Sequence, residues 1–510
     1  MTEESIESSQ HYAEADEETA KEFRPPVPVL RQSTVADALS NPRERKRLRM
    51  PEGENDPGPV VVELNLLHEG ALAGAAKRFK MLCQQVLPED RRKPQLIANT
   101  YFRCDLSMNE IRELVRLDQA GVEAKTRSIY RIWPDFPVYP LIDRSVSTVK
   151  ADAARRSYEA SGEGITWAVV DSGINRRHPH FGIYRTLDDD VAKLHKNFSD
   201  SRGALVDGYG HGTHVAGIIA GGLPAKPEFR VCVGQRVADD LLGERIEERT
   251  VTEPERLSGV APRCKLVSVR VLDDYGNCRS TGVISALQYI REQLNGNGKL
   301  LQVHGINLSL GYEFDAKWFA CGQSPVCVEV DRLVRSGVVV VIAAGNTGYG
   351  DLTSSEGLTG AGLSLTINDP GNASLGITVG ATHRDSPHTY GVSYFSSKGP
   401  TGDGRLKPDL VAPGERITSC AAGHKLTELK SLWGSDPPLT TAAYIDDSGT
   451  SMAAPHVSGV IASFLSIRRE FIGRPEEVKR IFLETATSLG RERYFEGAGL
   501  VDLMRAIQSV

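Results

Sequence analysis

Three polar side chains stand in segments that could carry out acyl-transfer chemistry. Asp171 ends an apolar run in VVDSGI, His211 lies in the glycine-rich segment GHGTHVAG, and Ser451 follows a glycine and a threonine in SGTSMAAPHVSG. A hydroxyl can attack a carbonyl when an imidazole takes its proton, and a carboxylate can hold that imidazole in the required tautomer. These residues therefore predict a nucleophilic serine with its own base.

The neighbouring residues predict where each of these side chains stands. A carboxylate that ends a buried parallel strand lies where ligands bind in open α/β sheets. The glycines around His211 allow close backbone approach before an apolar helix begins. Ser451 precedes an Ala-rich helical stretch, so the helix N-terminus would favour a developing anion there. Pro455 lies late for the first turn and predicts a local kink.

Short apolar strands alternate with helical stretches from about residue 163 onward. Continuous apolar strands of this kind are buried on both faces, as in parallel α/β sheets. We therefore predict an α/β unit over 141–510 with a mostly parallel sheet flanked by helices, interrupted by a charged surface insertion at 222–258. The predicted strands are 165–173, 265–273, 305–311, 337–346 and 376–382.

Residues 58–140 follow a separate pattern of strand, helix, strand, helix and strand. The segment 60–65 is β-branched and 70–86 carries a helical apolar stripe. Ser107 and Glu110 have the spacing of a capping box before a second helix. This order predicts a small α+β domain with its helices on one face of a sheet.

The first 57 residues are rich in Glu, Ser, Pro and Arg and poor in apolar groups, which predicts a disordered or loosely attached tail. The basic run RERKRLR (43–49) fits a processing site, a nucleic-acid patch or a solvated charge cluster, and we favour the last. The net charge of −6 gives no reason to expect nucleic acid or an anionic membrane as a partner. The acidic N-terminus lacks a signal sequence, which favours a cytoplasmic protein and leaves another export route open.

The segments around Asp171, His211 and Ser451 resemble the subtilisin family of serine proteases (subtilases, peptidase S8). The order Asp, His, Ser along the chain is that of subtilisin. The resemblance covers about 163–463 and implies a subtilisin-like three-layer α/β fold and a serine endopeptidase acting on proteins or peptides. The matching motifs are VVDSGINRRHP, GHGTHVAG, GVAP, INLSLG, VVIAAGN, YFSSKGPT, KPDLVAPG and GTSMAAPHVSG, with GAGLVDL (497–503) fitting the C-terminal end.

The resemblance implies a role for each matched residue. Ser451 would be the nucleophile of an acyl-enzyme mechanism and His211 its general base and acid. Asp171 would orient the imidazole. Asn346, in AAGN, matches the oxyanion-hole asparagine of the family and would act with the Ser451 N–H.

The same resemblance implies an extended substrate cleft. Ser309, Leu310 and Gly311 would line one side, and the stretch Tyr275–Gly276–Asn277–Cys278 would line the other. A peptide would add between them as a strand, held largely by backbone hydrogen bonds.

The domain at 58–140 resembles a subtilase propeptide in size, position and element order. As a propeptide it would template folding, place its C-terminal strand in the cleft and be released by self-cleavage within 137–146. A permanently attached regulatory or docking domain is the alternative, and we favour the propeptide.

Calcium is not carried over from the family. Secreted members hold it with an aspartate after His-Pro, and His180 stands at that position here. The insertion at 222–258 also stands in place of the nearby calcium loop, so we expect no cofactor, with calcium as the alternative. The run Asp188–Asp190 fits either a cation ligand set or, as we favour, a solvated acidic loop.

His178, His180, His211 and His214 invite a zinc interpretation, but HxxH alone lacks the glutamate and third ligand of a zinc protease. His214 and His456 are better explained as packed helix residues. The eight cysteines are dispersed, and only Cys321 and Cys327 are close enough for a local disulfide or metal pair. Ordinary reduced thiols are the favoured interpretation.

Two other functions compete with an active peptidase. A degenerate subtilase would bind protein partners without cutting, which the four filled catalytic positions disfavour. An α/β-hydrolase esterase would need G-x-S-x-G and the order Ser, Asp, His, and neither is present.

Overall fold

The computed structural model describes residues 34–42, 45, 50–91, 93–98, 100–120, 123–134, 144–199, 203–239, 243–314, 320–354, 357–429, 432 and 441–510. Contacts divide the chain into two compact units, Met1–Pro140 and Leu141–Val510. Much of the basic run 43–49 lies outside the described residues, as do 137–143 of the predicted cleavage segment. Residues 144–148 of the chain form a helix (Arg144–Thr148).

The smaller unit is a four-stranded antiparallel sheet with its helices in a split βαβ arrangement. Val60, Phe79 and Phe102 are fully buried between sheet and helices. The strand at 95–98 was not predicted, because its few residues carry little periodicity. Its elements are α1 (Asp37–Ser40), β1 (Gly58–Leu64), α2 (Ala71–Val86), β2 (Gln95–Ala98), β3 (Tyr101–Leu106), α3 (Met108–Gln119) and β4 (Ile129–Pro134), with sheet order β2-β3-β1-β4.

The predicted capping box is confirmed at the start of α3. The Ser107 Oγ accepts from the Glu110 N–H at 3.3 Å, and the Ser107 N–H donates to the Glu110 carboxylate at 2.8 Å.

The predicted tail at 1–57 is wrong for its described residues. Leu39 and Met50 are buried in the core of the smaller unit, and the buried Arg45 guanidinium donates to the Leu39 carbonyl at 2.9 Å. A few apolar residues spaced along a polar segment suffice to anchor it, and average composition hides them. Residues 1–33 lie outside the described part of the chain.

Within the described ranges, the larger unit is built on a seven-stranded sheet whose strand pairs are all parallel. Its strands are β5 (Thr166–Asp171), β6 (Lys196–Asn197), β9 (Lys265–Arg270), β10 (Gly305–Leu308), β11 (Val339–Ala343), β14 (Ile377–His383) and β15 (Leu410–Glu415). Their order in the sheet is β15-β14-β11-β10-β5-β9-β6. The α/β fold with a parallel sheet is confirmed.

Both faces of this sheet are buried, as continuous apolar strands require. On β5, Trp167 and Val169 join the apolar cluster on one face, and Ala168 and Val170 join the cluster on the other. The flanking helices are α4 (Arg144–Thr148), α5 (Ala151–Tyr158), α6 (His211–Ile219), α7 (Ser280–Gln288), α8 (Pro325–Arg335), α9 (Pro387–Tyr390), α10 (Gly423–Glu428), α11 (Thr450–Ile467), α12 (Pro475–Thr485), α13 (Arg493–Glu496) and α14 (Leu503–Gln508).

The segment 222–258, predicted as a surface insertion, forms a hairpin that extends a second sheet. Strands β7 (Val231–Asp239) and β8 (Gly243–Arg249) pair with each other, and β7 runs parallel to β17 (Ala442–Asp447). The full order is β16-β17-β7-β8, with β16 at Ile417–Cys420. Cys232 and Val233 of this segment are buried, so part of the predicted surface insertion packs into the interior of the fold. A third, two-stranded sheet joins β12 (Tyr349–Ser354) and β13 (Gly357–Gly362).

Helix α11 is the central helix of the larger unit. Among the described helices it alone has the length and hydropathy of a membrane span, and 83% of it is buried within the fold, as for a core helix. Pro455 lies inside it, and the helix continues from Thr450 to Ile467.

Candidate active site

Adjacent parallel strands bring the ends of β5 and β10 to one edge of the sheet. Val170 on β5 pairs with Leu308 on β10. The next residue along each chain segment, Asp171 and Ser309, therefore lies at the same edge of the sheet. Asp171 is fully buried, and its Oδ1 accepts the Ser172 N–H at 2.8 Å. A buried carboxylate needs such partners, because its charge has left water.

His211 begins helix α6 directly above Asp171. Its Nδ1 lies 2.8 Å from Asp171 Oδ1 and 3.0 Å from Oδ2. Because a carboxylate accepts hydrogen bonds, Nδ1 carries the proton and Nε2 is left as the acceptor. The residue before His211 must be a glycine for two reasons. Gly210 has a φ of +94°, which favours glycine, and a Cβ there would lie 2.1 Å from the Ala422 carbonyl oxygen.

Two opposing effects set the basicity of this imidazole. Burial lowers the pKa of His211, but the negative charge of Asp171 and the hydrogen bond to it raise the pKa, and the net shift is upward. The side chain is 15% exposed, so Nε2 can meet a substrate group at the surface of the cleft. An imidazole of this kind is a general base strengthened by its carboxylate.

Asp207 is a site residue that the sequence analysis missed. Its buried carboxylate accepts from the N–H groups of Gly210 (2.7 Å) and Thr213 (2.8 Å) and from the Ser172 hydroxyl (2.9 Å). The first N–H groups of a helix have no partner within the helix, so Asp207 satisfies those of α6 and fixes the helix that carries His211. The signal was available as an acidic residue four positions before His211.

Ser451 lies in the first turn of α11, where its N–H has no acceptor within the helix. Its hydroxyl donates to the Ser309 carbonyl at 3.1 Å. Among the described residues no hydrogen bond joins Ser451 to His211, so the hydroxyl must rotate away from Ser309 before the imidazole can take its proton.

Asn346 follows β11 and faces the start of α11. Its Oδ1 accepts from the Thr450 N–H at 2.9 Å and from the Thr450 hydroxyl at 3.1 Å. A backbone N–H can only donate, so this contact fixes the amide orientation and leaves Nδ2 as a donor. Nδ2 would lie 3.2 Å from a Cβ added at Gly449, beside the first turn that holds Ser451.

The two segments predicted to form the substrate cleft line one cavity of ≈ 400 Å³, together with His211. The residues of both segments that line it are Ser309, Leu310, Gly311, Gly276, Asn277 and Cys278. Tyr209 lies beneath Gly276, and a Cβ at that glycine would come within 2.7 Å of its ring. Tyr275 is 77% exposed and does not line this cavity among the described residues.

The residues around His180 do not fit a calcium ion. Nε2 of His180 donates to the carbonyls of Ala220 (3.1 Å) and Gly217 (3.2 Å), and Nδ1 accepts from the Tyr444 hydroxyl at 3.0 Å. Calcium takes six to eight oxygen ligands. A neutral imidazole donor occupies this place and bonds the carbonyl oxygens itself.

The other histidines of the zinc interpretation are also held by protein groups. Nε2 of His178 lies 2.7 Å from the Ala443 carbonyl, and Nε2 of His214 lies 3.1 Å from the Ile445 carbonyl. The packed position expected for His456 is confirmed, since it is buried with Nδ1 2.8 Å from the Met452 carbonyl. The described residues contain no group of three His, Cys, Asp or Glu side chains that could hold a metal.

The acidic run and the cysteines take ordinary structural places. Asp188 pairs with Arg176, and Asp189 pairs with Lys265 at 2.9 Å. All eight cysteines are free thiols, including Cys321 and Cys327, and Cys278 in the cleft wall is the exposed one.

Comparisons with known proteins show which family this chain is similar to. A model of the subtilase family of peptidases (S8) matches residues 162–500. The chain is 32% identical over 333 residues to pyrolysin of Pyrococcus furiosus, a match that covers 59% of this chain and only 21% of pyrolysin. It is 27% identical over 390 residues to serine protease AprX of Bacillus subtilis, covering 74% of each chain. Subtilisin E of Bacillus subtilis is 29% identical over 364 residues, covering 71% of this chain and 70% of subtilisin E.

Proposed function

This chain belongs to the subtilase family of serine endopeptidases, and from that premise we propose that Asp171, His211 and Ser451 are its catalytic triad. The contact between the His211 Nδ1 and the Asp171 carboxylate, at 2.8 Å, is the observation that carries this proposal. It fixes the tautomer that a serine hydrolase needs, with Nε2 free to accept a proton.

The proposed reaction begins when Ser451 Oγ attacks the scissile carbonyl carbon and its proton passes to His211 Nε2. The carbonyl oxygen becomes an anion, which Asn346 Nδ2 and the Ser451 N–H would bind. Collapse of this intermediate breaks the C–N bond, and His211 returns the proton to the departing amine. A water molecule then attacks the acyl-enzyme by the same steps, releasing the acid and restoring Ser451.

The cavity between the two predicted walls supports an extended peptide as substrate. Ser309 directly follows a strand of the main sheet, and its carbonyl is available to a peptide N–H once the Ser451 hydroxyl has left it. Backbone bonds of this kind accept many sequences, so broad selectivity is proposed.

We further propose that the chain is made as a self-processing zymogen, with the N-terminal unit as its first partner in the cleft. The support is the order of the chain: a separate compact unit, Met1–Pro140, precedes the peptidase unit. Cleavage within 137–146 would cut the chain after the last strand of the one unit and before or within the first turn of the first helix of the other.

An active-site fluorophosphonate tests the triad directly, because it reacts with a serine only when the hydroxyl is activated. We expect the purified wild-type protein to be labelled and to cut unfolded protein substrates, and Ser451→Ala to do neither. The Ser451→Ala protein should also keep its N-terminal unit attached. Labelled Ser451→Ala protein, or wild type that stays unlabelled after removal of residues 1–143, would refute the peptidase proposal and favour a binding protein.

A further inference from the structure

A proline leaves one carbonyl of the central helix without its normal partner. In an α-helix the C=O of residue i accepts from the N–H of residue i+4. For Ser451 that residue is Pro455, which has no N–H. The carbonyl of the proposed nucleophile would therefore be an unsatisfied acceptor next to the buried helix body, at a cost comparable to a lost hydrogen bond.

Ser309 supplies the missing donor. Its Oγ donates to the Ser451 carbonyl oxygen at 2.9 Å, and its own carbonyl accepts the Ser451 hydroxyl at 3.1 Å. Ser309 is thus bonded to both the backbone and the side chain of the proposed nucleophile. It is 3% exposed, so water does not compete readily for these contacts.

Two further side chains fix the direction of this contact. Asn307 Nδ2 donates to Ser309 Oγ at 2.8 Å, and Ser458 Oγ donates to Asn307 Oδ1 at 2.9 Å. Because Ser309 Oγ accepts from an amide, its proton is free to go to the Ser451 carbonyl. Asn307 and Ser458 are fully buried.

These contacts form a closed loop. Ser451 and Ser458 lie seven residues apart on one face of α11, and Asn307 and Ser309 lie at the end of β10. The loop ties two points of the helix that lie two turns apart to the strand that lines the cleft.

We propose that Ser309, held by Asn307 and Ser458, is a positioning residue that sets the backbone of Ser451 through the carbonyl left free by Pro455. This inference rests on the proposed function. Its effect falls on turnover, because a small displacement of a nucleophile from its line of attack costs rate, while the peptide is bound by other groups of the cleft.

The test is a double-mutant cycle between Ser309 and Pro455, read as kcat and KM on one peptide and as the rate of fluorophosphonate labelling. Ser309→Ala should lower kcat about 10–100-fold with KM within about threefold, as for loss of a positioning bond to a buried acceptor. In Pro455→Ala the new N–H can satisfy the Ser451 carbonyl, so Ser309→Ala should there cost at most about threefold. Ser463→Ala, another buried serine of α11 that bonds Val260 instead, is the matched control and should lower kcat equally little in both backgrounds.

Equal losses of kcat from Ser309→Ala in the two backgrounds would overturn the proposal, as would a rise in KM at unchanged kcat. Should Pro455→Ala fail to fold, Ser458→Ala serves instead: it should lower kcat about 3–10-fold by releasing Asn307, and no change relative to Ser463→Ala would again overturn it. Failure of the wild type to react with the fluorophosphonate would refute the peptidase proposal itself, independently of these ratios.

Discussion

His211 and a pair of fully buried histidines in the larger unit differ in the partner of the imidazole. His211 faces the carboxylate of Asp171, and the net effect is a raised pKa. His178 and His180, which we call the histidine pair, face carbonyls and the Tyr444 hydroxyl, and burial lowers the pKa of His178 to about 4 and that of His180 to about 3. In this unit the neighbouring carboxylate raises the pKa of one imidazole, whereas burial without a carboxylate lowers the pKa of the other two and keeps them neutral.

The partners of each imidazole also determine which property a mutation should change. Removing the carboxylate from His211 should change the tautomer and the basicity of the proposed general base. Removing a member of the histidine pair leaves buried carbonyl and hydroxyl groups unsatisfied and should be felt in stability. Mutation of the carboxylate beside His211 should therefore lower turnover, and mutation of the histidine pair should lower the free energy of unfolding.

Asp171→Asn should produce the largest effect, a loss of kcat of about 10⁴-fold, as in other triads where the asparagine imposes the wrong tautomer. The wild-type acid limb of kcat/KM should lie above the ordinary histidine pKa of about 6.5, because His211 must be neutral to accept a proton and its pKa is raised. Steady-state kinetics across pH measures both. Asp188→Asn, which alters the ion pair with Arg176 away from the proposed triad, is the control and should keep its activity. Equal activities of Asp171→Asn and Asp188→Asn would contradict the proposed role of the Asp171 carboxylate.

Asn346→Ala should come second, with kcat lower by about 10²–10³-fold and KM little changed, since the amide would bind an oxyanion that exists only in the transition state. The melting temperature should fall only slightly, although Thr450 loses its acceptor. A turnover within about threefold of wild type would remove Asn346 from the oxyanion site.

His180→Ala should leave kcat within a small factor and lower the free energy of unfolding by about 2–4 kcal/mol through an internal cavity and unpaired polar groups. The histidine pair is neutral in the fold and gains protons on unfolding, so stability should fall as pH drops from about 6.5 toward 4. Denaturant titrations at several pH values measure this, and His180→Ala should show a shallower decline than wild type. A large loss of kcat at unchanged stability would reverse the assignment.

Chelation should have the smallest effect. The histidine pair already occupies carbonyl oxygens that a metal ion could otherwise coordinate. EDTA should therefore shift the melting temperature by no more than about 1–2 °C, which corresponds to a change of less than about 1 kcal/mol in the free energy of unfolding. Thermal melts with and without EDTA, and with added calcium, check this. A marked drop with EDTA that calcium reverses would reveal a cation site in the chain.

Local signals were enough to predict the elements that carry the chemistry. Asp171, His211 and Ser451 stand out because each ends a strand or begins a helix within a few distinctive residues. Five of the seven strands of the main sheet were predicted from their apolar runs, whereas β6 and β15 were not. The contacts that fix the site could not be predicted, because they join distant segments. The Ser309 side chain bonds a helix 142 residues later, and β7 pairs with a strand near residue 442. Asp207 is different, because it bonds N–H groups only three and six residues away, and it was missed although its signal was local.

The cysteine distribution has a practical consequence. Seven thiols are buried and Cys278 alone is exposed, in a wall of the cleft. A maleimide dye should therefore attach at one position of the unmodified chain and report, by its fluorescence, when a peptide enters beside it.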